Sequence, residues 1–231
     1  MDISGLSDIA LQLLKGSSES PILYISQIIS NKKQAVDVVR KLKQFGISLS
    51  PTLDGGYRVT AETRLRLALL ALRGAATVYE VSRYLDWREF ETLISHVFEE
   101  NDFITFQNYR FNIKTQRNEI DIVAIKTSLA IAADAKHYST TGRGSIKQAV
   151  AAQKKRAERL AQHISEDSKC LLTGEGVTEI IPIIITWLEE RIRIHDAIAI
   201  VPIFKLNRFL NLLDLYKNQL YHVSVPVQHK A

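Results

Sequence analysis

Leu6, Ile9, Ala10, Leu13 and Leu14 recur at helical spacing and predict a first helix, closed by Gly16 and the run Ser17-Ser18-Glu19-Ser20-Pro21. A short helix is expected over 21–29 and a third over 32–45, where Ala35, Val38, Val39, Leu42 and Phe45 share a face and Gly46 stops the run. Ile47 to Thr60 reads as extended, with Asp54-Gly55-Gly56 as a hairpin turn. Thr60 caps a leucine-rich helix over 61–73, and Val78, Val81 and Leu85 mark another ending at Leu85. Asp86 followed three residues later by Glu89 is a capping-box pattern, opening a helix to about Asn101 that buries Phe90, Leu93, Ile94, Val97 and Phe98. Three extended segments follow, over 103–113, 117–126 and 129–138. After a Gly/Ser/Thr-rich loop, Ser139 to Ser145, helical periodicity returns from Ile146 to Ser165. Strands over 178–187 and 197–203 and a helix over 204–216 complete the pattern. From Asp86 onward the order α-β-β-β-α-β predicts a mixed sheet flanked by helices.

The first part, helix, helix, basic helix, hairpin, resembles a winged-helix domain. That resemblance implies a third helix entering a major groove and a hairpin touching phosphates. Lys33, Arg40 and Lys43 fall off the apolar stripe of the third helix and are the expected DNA contacts. A solvated helix face, or a surface for protein, is the other reading of the same charges.

Composition sharpens this only a little. The 231 residues are 46% hydrophobic, enough for a packed core, and carry a net charge of +5. Through residue 85 there are 11 Lys and Arg against 7 Asp and Glu; beyond it, 19 against 18. The smaller part is the more basic, as a polyanion-binding module would be. Two domains are expected, 1–80 and 81–231. No apolar run reaches the roughly 18 residues a membrane span needs, and no signal-peptide pattern opens the chain, so a cytoplasmic protein is expected. A single cysteine, Cys170, excludes an internal disulfide, and the six histidines show no ligand-spaced pair.

Two neighbouring apolar runs, 119–125 and 129–138, carry charges where a core would hold leucines: Asp121 on the first, Asp134 and Lys136 on the second. Side chains alternate along a strand, so Asp134 and Lys136 point the same way. Burying them uncompensated would cost several kcal/mol. A divalent ion held by carboxylate oxygens, magnesium or manganese rather than zinc, is one compensation; an ordinary ion pair within the strand is the other.

A helix bearing an acid, a hairpin bearing an aspartate, then a strand ending Asp134-Ala135-Lys136: over 86–187 this arrangement resembles the PD-(D/E)XK nuclease superfamily, and within it the archaeal Holliday junction resolvase and Mrr-type restriction endonuclease branch. Ile120 stands where the eponymous proline would be, and aspartate replaces the commoner glutamate at 134. The resemblance implies a restriction-endonuclease-like α/β fold beside the mainly α winged helix, and a magnesium-dependent deoxyribonuclease, with manganese able to substitute. Asp121, Asp134 and the Ala135 carbonyl would hold the metal, Glu91 would join them directly or through water, and Lys136 would orient or deprotonate the attacking water. Glu91 is chosen over Glu89 because the cap accounts for Glu89. Gln153, inside the apolar face of the 146–165 helix, is either a buried structural residue or an active-site positioner. Arg143 and Lys147, with Lys154, Lys155 and Arg159 further along, would meet a phosphate backbone or form a solvated face. His137 and Tyr138 are expected to pack.

The expected function is therefore endonucleolytic cleavage of duplex or branched DNA. The alternative is a noncatalytic DNA-binding regulator whose nuclease-like domain serves assembly. The apolar stretch from Leu210 to Tyr221 would either form a homodimer interface or close the domain's own core.

Overall fold

The apolar stripe of the first helix is buried as its spacing predicts, with Ala10, Leu13 and Leu14 fully enclosed. A computed structural model describes residues 3–136, 143–167 and 170–226. The chain divides into two compact units, Met1–Phe90 and Glu91–Ala231.

In the first unit, α1 (Ile3–Glu19), β1 (Ile22–Leu23), α2 (Ile25–Ile28), α3 (Lys32–Gln44), β2 (Ser50–Pro51), β3 (Tyr57–Arg58), α4 (Ala61–Leu72) and α5 (Val78–Ser82) follow one another. The strands form an antiparallel sheet in the order β1-β3-β2. The short helix expected over 21–29 is thus half strand. Ile22 and Leu23 pair with Arg58 and Tyr57, and only residues 25–28 stay helical. The hairpin's outer edge draws in these residues, and such non-local pairing leaves no periodic mark in so short a run. Asn31 caps α3, its Oδ1 accepting from the N–H groups of Lys33 (2.9 Å) and Gln34 (3.2 Å). Gly46, at φ +74°, ends it in the left-handed region that favours glycine.

The helix α6 (Trp87–Glu99) carries the chain from one unit into the other. Its capping box is present: Glu89 Oε2 accepts from the Asp86 N–H at 2.9 Å and Asp86 Oδ1 from the Glu89 N–H at 2.8 Å. Glu89 also receives Arg64 from α4, Nε to Oε1 at 2.6 Å, with both side chains largely buried. Arg64 further donates to Ser17 Oγ and the carbonyl of Tyr84, so one guanidinium ties α1, α4 and the start of α6 together.

The second unit continues with β4 (Ile104–Ile113), β5 (Gln116–Lys126), β6 (Leu129–Lys136), α7 (Arg143–Glu166), α8 (Leu171–Gly174), β7 (Glu179–Thr186), β8 (Ile194–His195), β9 (Ile198–Pro202), α9 (Ile203–Asn211), α10 (Leu213–Tyr216) and β10 (Val223–Ser224). Seven strands form one mixed sheet in the order β4-β5-β6-β7-β9-β8, with β10 added beside β7. The pairs β4-β5, β5-β6 and β8-β9 are antiparallel, whereas β6-β7 and β7-β9 are parallel. The mixed sheet flanked by helices expected from the sequence is therefore the fold of this unit. Every residue of β7 after Glu179 is buried, as a central strand with parallel neighbours requires. Pro182 fits there because β10 pairs only up to Ile180 and β9 begins at Ile183, leaving an interval where a missing N–H is tolerated.

Ala157, Leu160, Ala161 and Ile164 of α7 pack on Val123, Ile125, Ala130 and Ala132 of the sheet. This helix starts at Arg143, three residues before its apolar periodicity, since only its packed turns need apolar residues. The helix expected over 204–216 is broken at Leu212 into α9 and α10. From the C-terminal apolar stretch Leu210, Leu213 and Leu220 are buried, while Leu215 and Tyr216 are exposed.

Replacing Arg64 with alanine strands the buried Glu89 carboxylate and should cost about 3–5 kcal/mol. Removing Arg66, whose pair with Glu62 is solvent-exposed, should cost at most about 0.5 kcal/mol. Denaturant unfolding of the two alanine variants checks the contrast.

Candidate active site

Asp121 is the single residue of β5 that belongs to neither neighbouring ladder. The β4-β5 pairing runs from Ile104↔Ile125 to Ile113↔Gln116 but skips Asn108 and Asp121, and the β5-β6 pairing stops one step earlier, at Ile122↔Ala133. Asn108 has φ +50°, a left-handed conformation that asparagine tolerates better than most residues. The sheet therefore forks here, β5 parting from β6. Asp121 bridges the fork: its Oδ2 accepts the Ala135 N–H at 2.8 Å, replacing the strand partner that β6 has lost.

Asp134 lies across the fork on β6, 2% exposed. Lys136 Nζ stands 2.7 Å from its Oδ2, so the two side chains share a face as their spacing predicts. That approach is off the hydrogen-bonding direction, and Oδ2 is buried without an aligned donor. Its Oδ1 accepts from Arg156 Nη1 of α7 at 2.8 Å. Gln153, fully buried one turn earlier, donates from Nε2 to the Ala132 carbonyl (2.8 Å) and accepts Arg156 Nη1 at Oε1 (3.3 Å). The amide thus has both ends engaged, anchoring α7 to β6 and holding Arg156 toward Asp134. Asp134, Lys136 and Arg156 form an ionic group, its carboxylate buried and its two cations partly exposed, whose charges with Asp121 sum to zero.

The electrostatics follow from this placement. Burial pushes the Asp121 carboxyl above its ordinary value of 3.8, the Asp134 charge pushes it further, and the Ala135 N–H, Lys136 and Arg156 oppose both. Further along α7, His163, stacked on Phe111, is lowered by burial.

Glu91 is buried on α6 at 6% exposure. Among the described residues no three or more His, Cys, Asp or Glu side chains gather into a group able to hold a metal ion, so Glu91 does not complete such a group with Asp121 and Asp134. Lys147 is exposed on α7; His137, Tyr138 and the Arg143 side chain lie outside the described residues. Of the further cations on α7, Arg159 is committed to Asn118 Oδ1 at 2.9 Å, and Lys154 sits 4.3 Å from the Tyr221 ring centre. The Tyr221 hydroxyl, donating to Glu158 at 2.7 Å, is pushed up to about 12 by burial and that carboxylate. In the first unit Lys33, Arg40 and Lys43 are exposed on α3, with Arg40 and Lys41 paired to Asp37.

Arg156 was not among the residues singled out from the sequence. Its signal was present: it lies three residues after Gln153, on the same helical face. The two-state spacing of the apolar stripe hid it because its stem packs while its end, a third exposed, stays polar.

A model of the nuclease-related domain (NERD) matches residues 74–186, from the residues preceding α5 to the end of β7, and so includes the whole ionic group. An uncharacterised protein from Archaeoglobus fulgidus is 30% identical over 132 residues, covering 56% of this chain and 93% of that one. Among solved structures, the protein of unknown function AF1548 aligns at 18% identity over 48% of this chain and 47% of that one, with a TM-score of 0.30. Protein VC1899 from Vibrio cholerae aligns at 10% identity over 94% of this chain and 52% of that one, with a TM-score of 0.35. The chain thus spans about half the length of these two structures, and likenesses of that size carry no functional weight.

Because the folded pKa of Asp121 is raised, its contribution to stability is fully present below pH 3.8 and is lost as pH rises through the raised value. Asp121→Asn, which keeps an acceptor for the Ala135 N–H, should therefore melt higher than the wild type at pH 7. The advantage should shrink as pH is lowered toward 4, as followed by thermal melts across that range.

Proposed function

The chain belongs to the nuclease-related domain family through residues 74–186, and from that premise we propose that it is a metal-dependent endonuclease acting on duplex or branched DNA. The observation that carries this reading is the pairing of two carboxylates, Asp121 and Asp134, across a sheet fork, with Lys136 beside them. The group lies where β5 and β6 part from each other, and a phosphodiester would approach it from the side of the partly exposed Lys136 and Arg156. The donors suit a hard cation such as magnesium or manganese. Buried Asp134 Oδ2 lacks an aligned hydrogen-bond donor, and carboxylate and carbonyl oxygens match the preference of those ions.

Asp121, Asp134 and the Ala135 carbonyl would hold the ion, and Glu91 of α6 would join them directly or through water. The bound ion would supply charge neutralisation for the phosphate oxygens and acidify a water molecule. Lys136, hinged at the mouth of the fork and a quarter exposed, would hold the attacking water or accept its proton. Gln153 fixes the strand carrying Asp134 against α7, so the carboxylate does not reorganise during the reaction.

For the first unit we read the order α1-β1-α2-α3-β2-β3, with its three-stranded sheet, as a winged helix that binds duplex DNA through α3. Lys33 and Lys43, exposed on α3, would meet phosphate directly, whereas Arg40 must first leave Asp37. The noncatalytic regulator remains the second reading, favoured by one observation: both oxygens of Asp134 already face cations, Lys136 and Arg156.

Cleavage of plasmid, linear duplex, single-stranded and four-way-junction DNA with magnesium or manganese separates the two. Asp134→Ala and Lys136→Ala should each lower cutting by about two orders of magnitude or more while leaving DNA binding intact. Binding without cutting on every substrate would select the regulator. The Lys33→Ala/Lys43→Ala double variant should weaken duplex binding and reduce its log–log salt slope by about 2; an unchanged slope would remove α3 from the interface.

A further inference from the structure

Arg156 and Lys136 offset the two carboxylates in formal charge, so a divalent cation entering this group leaves it with an excess of positive charge unless a cation withdraws or an anion arrives. Lys136 is tethered to the same strand as Asp134. Arg156 is the one that can withdraw: it reaches in from α7, contacts Asp134 at a single nitrogen, and is a third exposed. Its planar fork is also the side chain best suited to exchange a carboxylate for a phosphate.

We propose that Arg156 is a positioning residue that holds Asp134 in the metal-free protein and keeps divalent-cation affinity low until a phosphodiester draws the guanidinium away. The inference rests on the nuclease reading and adds to it a coupling between substrate and metal. Reciprocity requires that whatever removes Arg156 from Asp134 tightens metal binding, and that metal in turn favours the phosphate-bound arginine.

Two effects of deleting the guanidinium oppose each other. Losing the hydrogen bond frees the Asp134 rotamer, which weakens metal binding slightly. Losing a full positive charge a few ångströms from the cation strengthens it, and in a buried setting that electrostatic effect is much the larger.

The test is calorimetric titration of manganese into the intact protein, with no nucleic acid present. Arg156→Gln should bind manganese about 10- to 100-fold more tightly than the wild type, the relief of one cation–cation repulsion, and Arg156→Lys, which keeps the charge, should stay near it. In an Asp134→Asn background the Arg156→Gln change should tighten manganese binding by a smaller factor, because the competition for that carboxylate is gone and only the through-space repulsion is relieved. Equal or weaker manganese binding by Arg156→Gln, in a protein whose melting temperature shows it folded, would overturn the proposal, as would an absence of binding in all variants. The nuclease reading is scored separately. Tightened metal binding with no cleavage of any DNA leaves the inference standing without the nuclease; cleavage with unchanged affinity does the reverse.

Discussion

The buried charge of Asp134 is the constraint around which the second unit is arranged. A carboxylate 2% exposed in the middle of an alanine- and isoleucine-rich strand is tolerable only if positive charge is brought to it. The same strand provides Lys136, and α7 provides Arg156. This fixes the rotation of α7 about its axis: with Arg156 toward Asp134, Gln153 falls over the Ala132 carbonyl, and Ala157, Leu160 and Ala161 fall on the sheet. Small residues at Ala130, Ala132 and Ala157 let helix and strands approach closely enough for these polar contacts to form. Packing and electrostatics here have one solution between them, which is why a fully buried glutamine belongs in the interface.

Breaking the ladder is the second device. A continuous β5-β6 pair would consume the Ala135 N–H and press Asp121 and Asp134 together with nothing between them. The fork at Asp121 instead gives that N–H to the Asp121 carboxylate, and the left-handed Asn108 on β4 absorbs the accompanying irregularity. Asp121 is still held above its ordinary carboxyl range by burial and by Asp134, so the protein retains a local cost at this point. Structural ion-pair networks carry such a cost as well as functional sites do.

Much of this was legible in the sequence. The long strands of the sheet and the helix after them were marked by periodicity, and the Asp86/Glu89 cap by its spacing. The charges on β5 and β6 stood out because they interrupt apolar runs. What escaped shares a physical cause. The strands β1, β8 and β10 are two residues long and exist only because a distant edge is there to pair with, and the break at Leu212 interrupts an apolar pattern that runs on unchanged. Arg156 escaped because its function lies in what its tip touches, whereas periodicity reports only which residues are buried. The fork was invisible for the same reason, since an alternating pattern cannot show where two strands stop pairing.

The helix α6 shows what the cap argument rests on physically. Glu89 and Glu91 are two residues apart, about 200° around the helix, and so face different surroundings although both are buried. Glu89 is fully employed: it closes the capping box with Asp86 and receives Arg64, which also holds Ser17. A carboxylate bound into that network cannot serve a site elsewhere without dismantling the first unit's own ionic core. Glu91 lies on the other side of the helix and is also buried, but among the described residues it does not gather with Asp121 and Asp134.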